Sequence, residues 1–304
     1  MTQWLSSILA GLALTVCLAS EVPADEISEA RQAYLDGNYS AALKILLPAA
    51  EAGDANAQNI VGAAYENGNG VPQDATKALE WYEKSVAQGF AKAQLNLGTL
   101  LREGAKGVAQ DHARAITLLE AAMAQNSPYA FWERGRMYRD GEGAAADLEA
   151  ARVTFEQGLE RGNGESGNAL ADLYRLGQGV ETDEARARAI YSETAATGYA
   201  IAIGNLGYMF ETGIGGEVNP VAAYALYLEA MARGDGNATV NLADFVLNTP
   251  GYWQSNPMAG AYCLLGLDLA RDDQRARFET ICADVNAVLS DADKAEAARI
   301  RAAW

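Results

Sequence analysis

The stretch DANAQNIVGAAYENGNGVPQDATKALEWYEKSVAQG, Asp54 to Gly89, decides the fold, because the rest of the chain copies it. It reads as two short helices joined by a glycine-rich bend. One such unit cannot bury its apolar face alone, whereas successive copies stacked side by side build a continuous core. The small residue in the middle of the first helix recurs as Gly62, Gly98, Gly135, Ala171, Gly207 and Ala243, in steps of 36, 37, 36, 36 and 36 residues. Three positions further on stand Tyr65, Leu101, Tyr138, Tyr174, Phe210 and Val246, one helical turn away on the same face. The second helix is marked by Ala78, Ala115, Ala151, Ala187 and Ala223, each 11 residues before Gly89, Asn126, Gly162, Gly198 or Gly234. Glycine or asparagine at that place is a left-handed helix stop. Asp74, Asp111, Asp147, Asp183 and Asn219 stand where the second helix starts; their side chains can accept a backbone N–H, and negative charge suits a helix N-terminus.

On these residues the chain resembles the Sel1-like repeat family, relatives of the tetratricopeptide repeats. The quoted unit carries the pattern A-x-x-x-x-G-x-x-Y, a G-x-G bend, V-P-Q-D, K-A-x-x-W-Y and a closing glycine, at Ala57, Gly62, Tyr65, Gly68, Gly70, Val71 to Asp74, Lys77, Ala78, Trp81, Tyr82 and Gly89. The likeness runs from about Ala30 to Asp272. It implies an all-α α-solenoid of about six to seven helix-turn-helix repeats with helical caps. Two departures stand out: the fourth and fifth units lose V-P-Q, and the third has one extra residue between Gly104 and Gly107.

The chain divides accordingly. Residues 1–24 read as a secretory signal: Leu5 to Leu18 is apolar but short for a membrane span, and Val22, Pro23 and Ala24 form a cleavage site, with Ala19 as the alternative. Residues 25–53 form an opening, incomplete cap unit, in which Pro48 is expected to bend the second helix or begin a new turn. Residues 54–249 are the repeats, and 250–304 the last repeat helix and a C-terminal helical cap. There, Asn256 with Pro257 restarts a helix as cap and first-turn residue, a partner helix follows around Phe278, Ile281 and Val285, and Ser290 with Asp293 resembles a capping box for a helix ending at Trp304.

Of the three cysteines, Cys17 leaves with the signal. Cys263 and Cys282 lie equally far from a turn expected at Asp272 and Asp273, so two antiparallel helices would set them level. A disulfide there fits an oxidising compartment and would contribute about 3 kcal/mol by loop-closure entropy; two buried free thiols are the alternative. The formal charge of −17, or −16 once residues 1–24 and with them Glu21 are removed, argues against nucleic acid and anionic membrane surfaces as partners.

Catalytic chemistry is sought and not found. The single histidine, His112, follows the cap Asp111 and is expected to be exposed; with two distant cysteines it cannot furnish a zinc site. Gly141, Gly143 and Ala146 fit a loose dinucleotide fingerprint but join two helices. Ser166 lacks the spacing of a nucleophile elbow. Some secreted relatives in the resembled family are cysteine-rich and linked to β-lactam hydrolysis; here the regular units hold no cysteine pair and no Ser-x-x-Lys occurs. No cofactor is expected.

A surface remains. In the tetratricopeptide relatives the first helices line the concave side and grip extended peptides; the corresponding pairs here are Asn56/Ile60, Lys92/Asn96, Tyr129/Glu133, Glu165/Ala169, Ile201/Asn205 and Asn237/Asn241. Lys92 with Asn96 resembles a carboxylate-gripping pair, and Arg136 and Tyr208 could extend the contact. The expected binding residues are thus Lys92, Asn96, Glu133, Arg136, Asn205, Tyr208 and Asn241. The expected protein is a monomeric, exported, periplasmic or secreted, non-enzymatic scaffold or regulator in the cell envelope that binds a protein partner, without membrane insertion of the mature chain. The alternatives are a subunit of an envelope assembly or export complex and a secreted hydrolase.

Overall fold

The computed structural model describes residues 22–249 and 255–304, and these are all-α, with sixteen helices among the described residues. The described residues fall into two compact units, one up to Asp111 and one from His112 onward. The first holds α1 (Ala24–Leu35), α2 (Tyr39–Glu51), α3 (Ala55–Asn67), α4 (Ala75–Val86) and α5 (Ala91–Glu103). In the second follow α6 (His112–Ala124), α7 (Pro128–Asp140), α8 (Leu148–Glu160), α9 (Gly164–Leu176), α10 (Glu184–Ala196), α11 (Ala200–Thr212), α12 (Pro220–Ala232) and α13 (Gly236–Asn248). That unit ends in α14 (Asn256–Leu269), α15 (Asp272–Val288) and α16 (Asp291–Ala302). Within each unit, helices adjacent in the chain pack against one another as far as α15, as in a solenoid of repeats, and α16 packs back on α14. The expected signal and Cys17 lie outside the described residues.

The helix ends follow the sequence. Asp74 accepts from the N–H groups of Thr76 and Lys77, Asp147 from Ala150, Asp183 from Arg186 and Asn219 from Ala222. At the other end, Gly89, Gly162, Gly198 and Gly234 have φ of 77°, 77°, 84° and 87°, and Asn126, at 59°, is the one non-glycine residue with positive φ among the described residues. Asparagine tolerates that conformation better than other side chains.

In four of the repeats the core forms where a ring of the second helix packs beside the recurrent small residue of the first; the Gly98 repeat has Leu119 at the ring's place. A Cβ on Gly62 would stand 2.7 Å from the Tyr82 ring, and one on Gly207 3.0 Å from Tyr227; Gly135 faces Phe155 in the same way. Tyr82, Phe155, Tyr191 and Tyr227 are all buried, four residues beyond Ala78, Ala151, Ala187 and Ala223. Burying such a ring stabilises by roughly 1.5–3 kcal/mol, provided the facing side chain is small enough to admit it.

Several local expectations are corrected. Pro48 does not end α2 or begin a new helix, since α2 runs unbroken past it; Pro48 and Lys44, whose carbonyl loses its helical partner, both lie on the exposed side, where water can serve. The cap of α14 is Ser255, with Asn256 already helical. His112 is half-buried beneath the bend after α7: a Cβ on Gly143 would stand 2.8 Å from that of His112, and its Nε2 is buried without a hydrogen-bond partner. The last helix stops at Ala302, and exposed Trp304 turns its ring edge-on to Tyr262, centroids 6.5 Å apart.

Other expectations hold. Ser290 and Asp293 form the capping box of α16. Cys263 on α14 and Cys282 on α15 are buried and disulfide-bonded, with Cα atoms 5.5 Å apart. Their turn lies at Ala270 and Arg271, because Asp272 already opens α15.

Replacing Gly135 with alanine should destabilise the protein by about 1–3 kcal/mol through overpacking against Phe155. In denaturant titrations, Phe155→Leu in the Gly135→Ala background should cost less than Phe155→Leu alone; strictly additive costs would contradict the pairing.

Candidate protein-interaction site

Side chains four apart on a helix lie on one face, one above the other. In the first unit three such pairs come together: Arg31 and Leu35 on α1, Asn56 and Ile60 on α3, Lys92 and Asn96 on α5. They line a groove of about 530 Å³, with Tyr34 and Leu95 completing its apolar part. Leu35 is 77 % exposed, although an apolar side chain of that size gains by burial. The groove has no aspartate or glutamate in its wall, in a chain with 40 of them. Arg31 and Lys92 form no ion pair among the described residues.

The expected pair Lys92 and Asn96 is therefore brought together, but the amide's role changes. Asn96 Nδ2 donates to Asn59 Oδ1 at 2.9 Å. It also interacts with the Tyr82 hydroxyl, whose only proton goes to Glu66 Oε2 at 2.5 Å. A hydroxyl that has given its proton to a carboxylate can offer only lone pairs. Both partners thus draw on the amide N–H₂, and the group Asn96 keeps for a ligand is its carbonyl oxygen, an acceptor.

The second unit repeats the device. Tyr227 donates to Glu211 Oε2 at 2.5 Å and interacts with Asn241, and Asn205 Nδ2 donates to Asn168 Oδ1 at 2.8 Å. Asn205 and Asn241 therefore knit neighbouring first helices and their rings. Glu133 and Arg136 face each other at 3.7 Å, with the Arg136 guanidinium 5.2 Å from the Trp132 ring centroid. Tyr208 is exposed on α11. These five lie along α7, α11 and α13, and most of their polar groups are engaged within the chain.

Burial pushes Glu66 and Glu211 above the ordinary 4.5, against the lowering effect of the tyrosine hydrogen bonds, and pushes Asp235, the cap of α13, above 3.8. Tyr82 and Tyr227 are raised far above 10.0, first by burial and then by the neighbouring carboxylate. Ser166 is fully buried, out of a substrate's reach, and among the described residues no cluster of three or more His, Cys, Asp or Glu could hold a metal ion. No helix among them is long and apolar enough to cross a membrane.

Sequence reasoning missed Arg31 and Leu35, since α1 was read only as a cap. It also missed the engagement of the asparagines, although the 37-residue spacing of Asn59 to Asn96 and of Asn168 to Asn205 is visible in the chain.

Comparison with known proteins agrees with this architecture. The family model described as Sel1 repeat matches residues 30–54, 55–90, 91–127, 129–163, 168–199 and 200–235, so the opening unit is matched as well. A crystal structure of a Sel1 repeat protein from Oxalobacter formigenes is 26 % identical, with a TM-score of 0.67 over 80 % of this chain and 97 % of that one. The antigen c5321, described as a protective antigen present in uropathogenic Escherichia coli strains and displaying an SLR fold, is 24 % identical with a TM-score of 0.66, over 90 % of this chain and 61 % of that one. A search of curated proteins found no match.

The raised carboxyls fix the sign of a pH effect. A native value above the unfolded one stabilises fully below the unfolded value, and this contribution is lost as pH rises through the native value. Acidification from neutrality towards 4.5 should therefore raise the melting temperature, and Glu211→Gln should flatten that rise. Above pH 10 the buried tyrosines should make stability fall. A melting temperature that falls steadily from pH 7 to 5 would contradict the assignment.

Proposed function

Because the chain belongs to the Sel1 repeat family, we propose that it is a protein-interaction scaffold that holds an extended, acidic stretch of a partner protein in the groove of the first unit, with no catalytic centre of its own. The observation that carries this reading is the groove itself: two cations without ion-pair partners, no carboxylate in the wall, and apolar side chains between them, in a chain of net charge −17. A partner's carboxylate would meet the planar fork of Arg31 and the point charge of Lys92. Its apolar side chains would cover Leu35, Ile60 and Leu95. The Asn96 carbonyl oxygen would accept a backbone N–H of the bound segment. Helices already locked by buried rings and capped ends lose little freedom on binding, so the contacts are not spent on ordering the scaffold.

The setting of this activity is the cell envelope, in the periplasm or outside the cell, with residues 1–24 removed and the mature chain monomeric. Supporting it are the apolar opening stretch and the disulfide between Cys263 and Cys282.

The test is capture of the partner from an envelope fraction with the chain from Asp25 onward, identification by mass spectrometry, and titration of the purified pair. Arg31→Glu with Lys92→Glu should weaken binding about a hundredfold, leave the melting temperature within ~1 °C of the parent's because both side chains lie on the surface, and abolish the salt dependence. Unchanged affinity would remove the site from this groove.

A further inference from the structure

A second hollow, in the second unit, has the opposite chemistry. It lies where the turns before α7, α9 and α11 meet and has a volume of about 310 Å³. Tyr129 and Tyr199 stand in its wall with Asn163, Gly164, Glu165 and Thr197, and no lysine or arginine lines it. Tyr129 is 53 % exposed, and among the described residues neither phenol has a hydrogen-bonded side-chain partner.

Gly164 sets the position of one wall. A Cβ there would stand 2.5 Å from the Tyr199 ring, so the ring rests against the bare Cα at the start of α9. Glu165, the next residue, has one carboxylate oxygen taken by Asn163 Nδ2 at 2.9 Å; the other oxygen has no hydrogen bond among the described residues. Burial raises the Tyr199 hydroxyl, and Glu165 and Asp235 raise it further, the mark of a negative potential at this ring. The cations nearest this ring are both engaged: Arg271 with Asp273 at 3.3 Å, and Arg233, which donates to the Gly198 carbonyl at 3.4 Å, with Glu229 at 3.1 Å.

We propose that this hollow binds a cationic side chain of a partner protein, an arginine or lysine, between the Tyr129 and Tyr199 rings with its charge against Glu165. A cation is attracted to the face of a phenol ring, more strongly where water is partly excluded, and the unbonded oxygen of Glu165 supplies a charge-assisted acceptor. Two phenol rings and a carboxylate line the wall, and a negative overall charge draws basic ligands towards it. The site is separate from the groove of Arg31 and Lys92, and its occupancy does not depend on that groove's.

The probe is the blocked tripeptide Gly-Arg-Gly, titrated into the full mature chain by two-dimensional NMR, with the citrulline tripeptide as an uncharged control of nearly the same shape. Signals of Tyr129, Gly164, Glu165 and Tyr199 should move with the arginine peptide and not with citrulline. Tyr129→Ala and Glu165→Gln should each weaken the interaction about tenfold, and 0.5 M salt should suppress it. Both positions are solvent-accessible, and an unchanged spectrum elsewhere verifies folding. Equal shifts with arginine and citrulline, shifts centred on other residues, or affinities unchanged in both variants would overturn the proposal.

Discussion

Four of the repeats close where a ring of the second helix, Tyr82, Phe155, Tyr191 or Tyr227, packs beside the small residue of the first, and much of the remaining chemistry follows from which ring is used. A tyrosine brings a hydroxyl into the core, and a buried hydroxyl needs a partner. Tyr82 and Tyr227 find theirs in Glu66 and Glu211, four residues after Gly62 and Gly207. Phe155 brings no hydroxyl, and the place four residues after Gly135 holds Arg139, which pairs with Asp140 instead. In the unit of Tyr191 that place holds Arg175, and the hydroxyl turns to Asp172, which also binds Arg175. A choice made for packing thus sets where charges stand at the ends of the first helices.

The same choice reaches the binding groove. Because the Tyr82 proton is committed to Glu66, the hydroxyl can only accept, and the neighbouring Asn96 must face it with its N–H₂. The resemblance to carboxylate-gripping repeats suggested that Asn96 would donate to an acid; its donors are in fact drawn inward, and the cation beside Lys92 that can share this task is Arg31. The recognition proposed for this groove divides between two positive charges, an apolar strip and one acceptor oxygen.

The architecture was largely legible in the chain, for a physical reason: helix caps, left-handed stops and the alternation of small and large residues act over a few positions and recur with the period. Asp147, Asn126 and Gly162 could be assigned from their own unit. The pairing of Cys263 with Cys282 needed one further inference, the place of a turn, and that place was right to within two residues. What could not be read was contact between units. Asn59 meets Asn96, and Arg31 and Lys92 come to line one groove, only once neighbouring helices have stacked. Tyr129 was visible as a member of the row, whereas Tyr199, a helix-capping residue without a capping side chain, gave no sign that it would lean on Gly164. His112 was misjudged because its cover, the bend at Gly143, belongs to the next unit.

The account rests on the claim that the groove of the first unit is a binding surface for a protein. The most direct measurement is photo-crosslinking in the living cell, with a benzoylphenylalanine placed at Leu35 and, as reference, at Val221, exposed on α12. The account predicts that the Leu35 probe alone captures a defined protein, through a segment rich in aspartate or glutamate, and that Lys92→Glu abolishes the capture. Equal capture from both positions, or a captured segment without acidic residues, would contradict it.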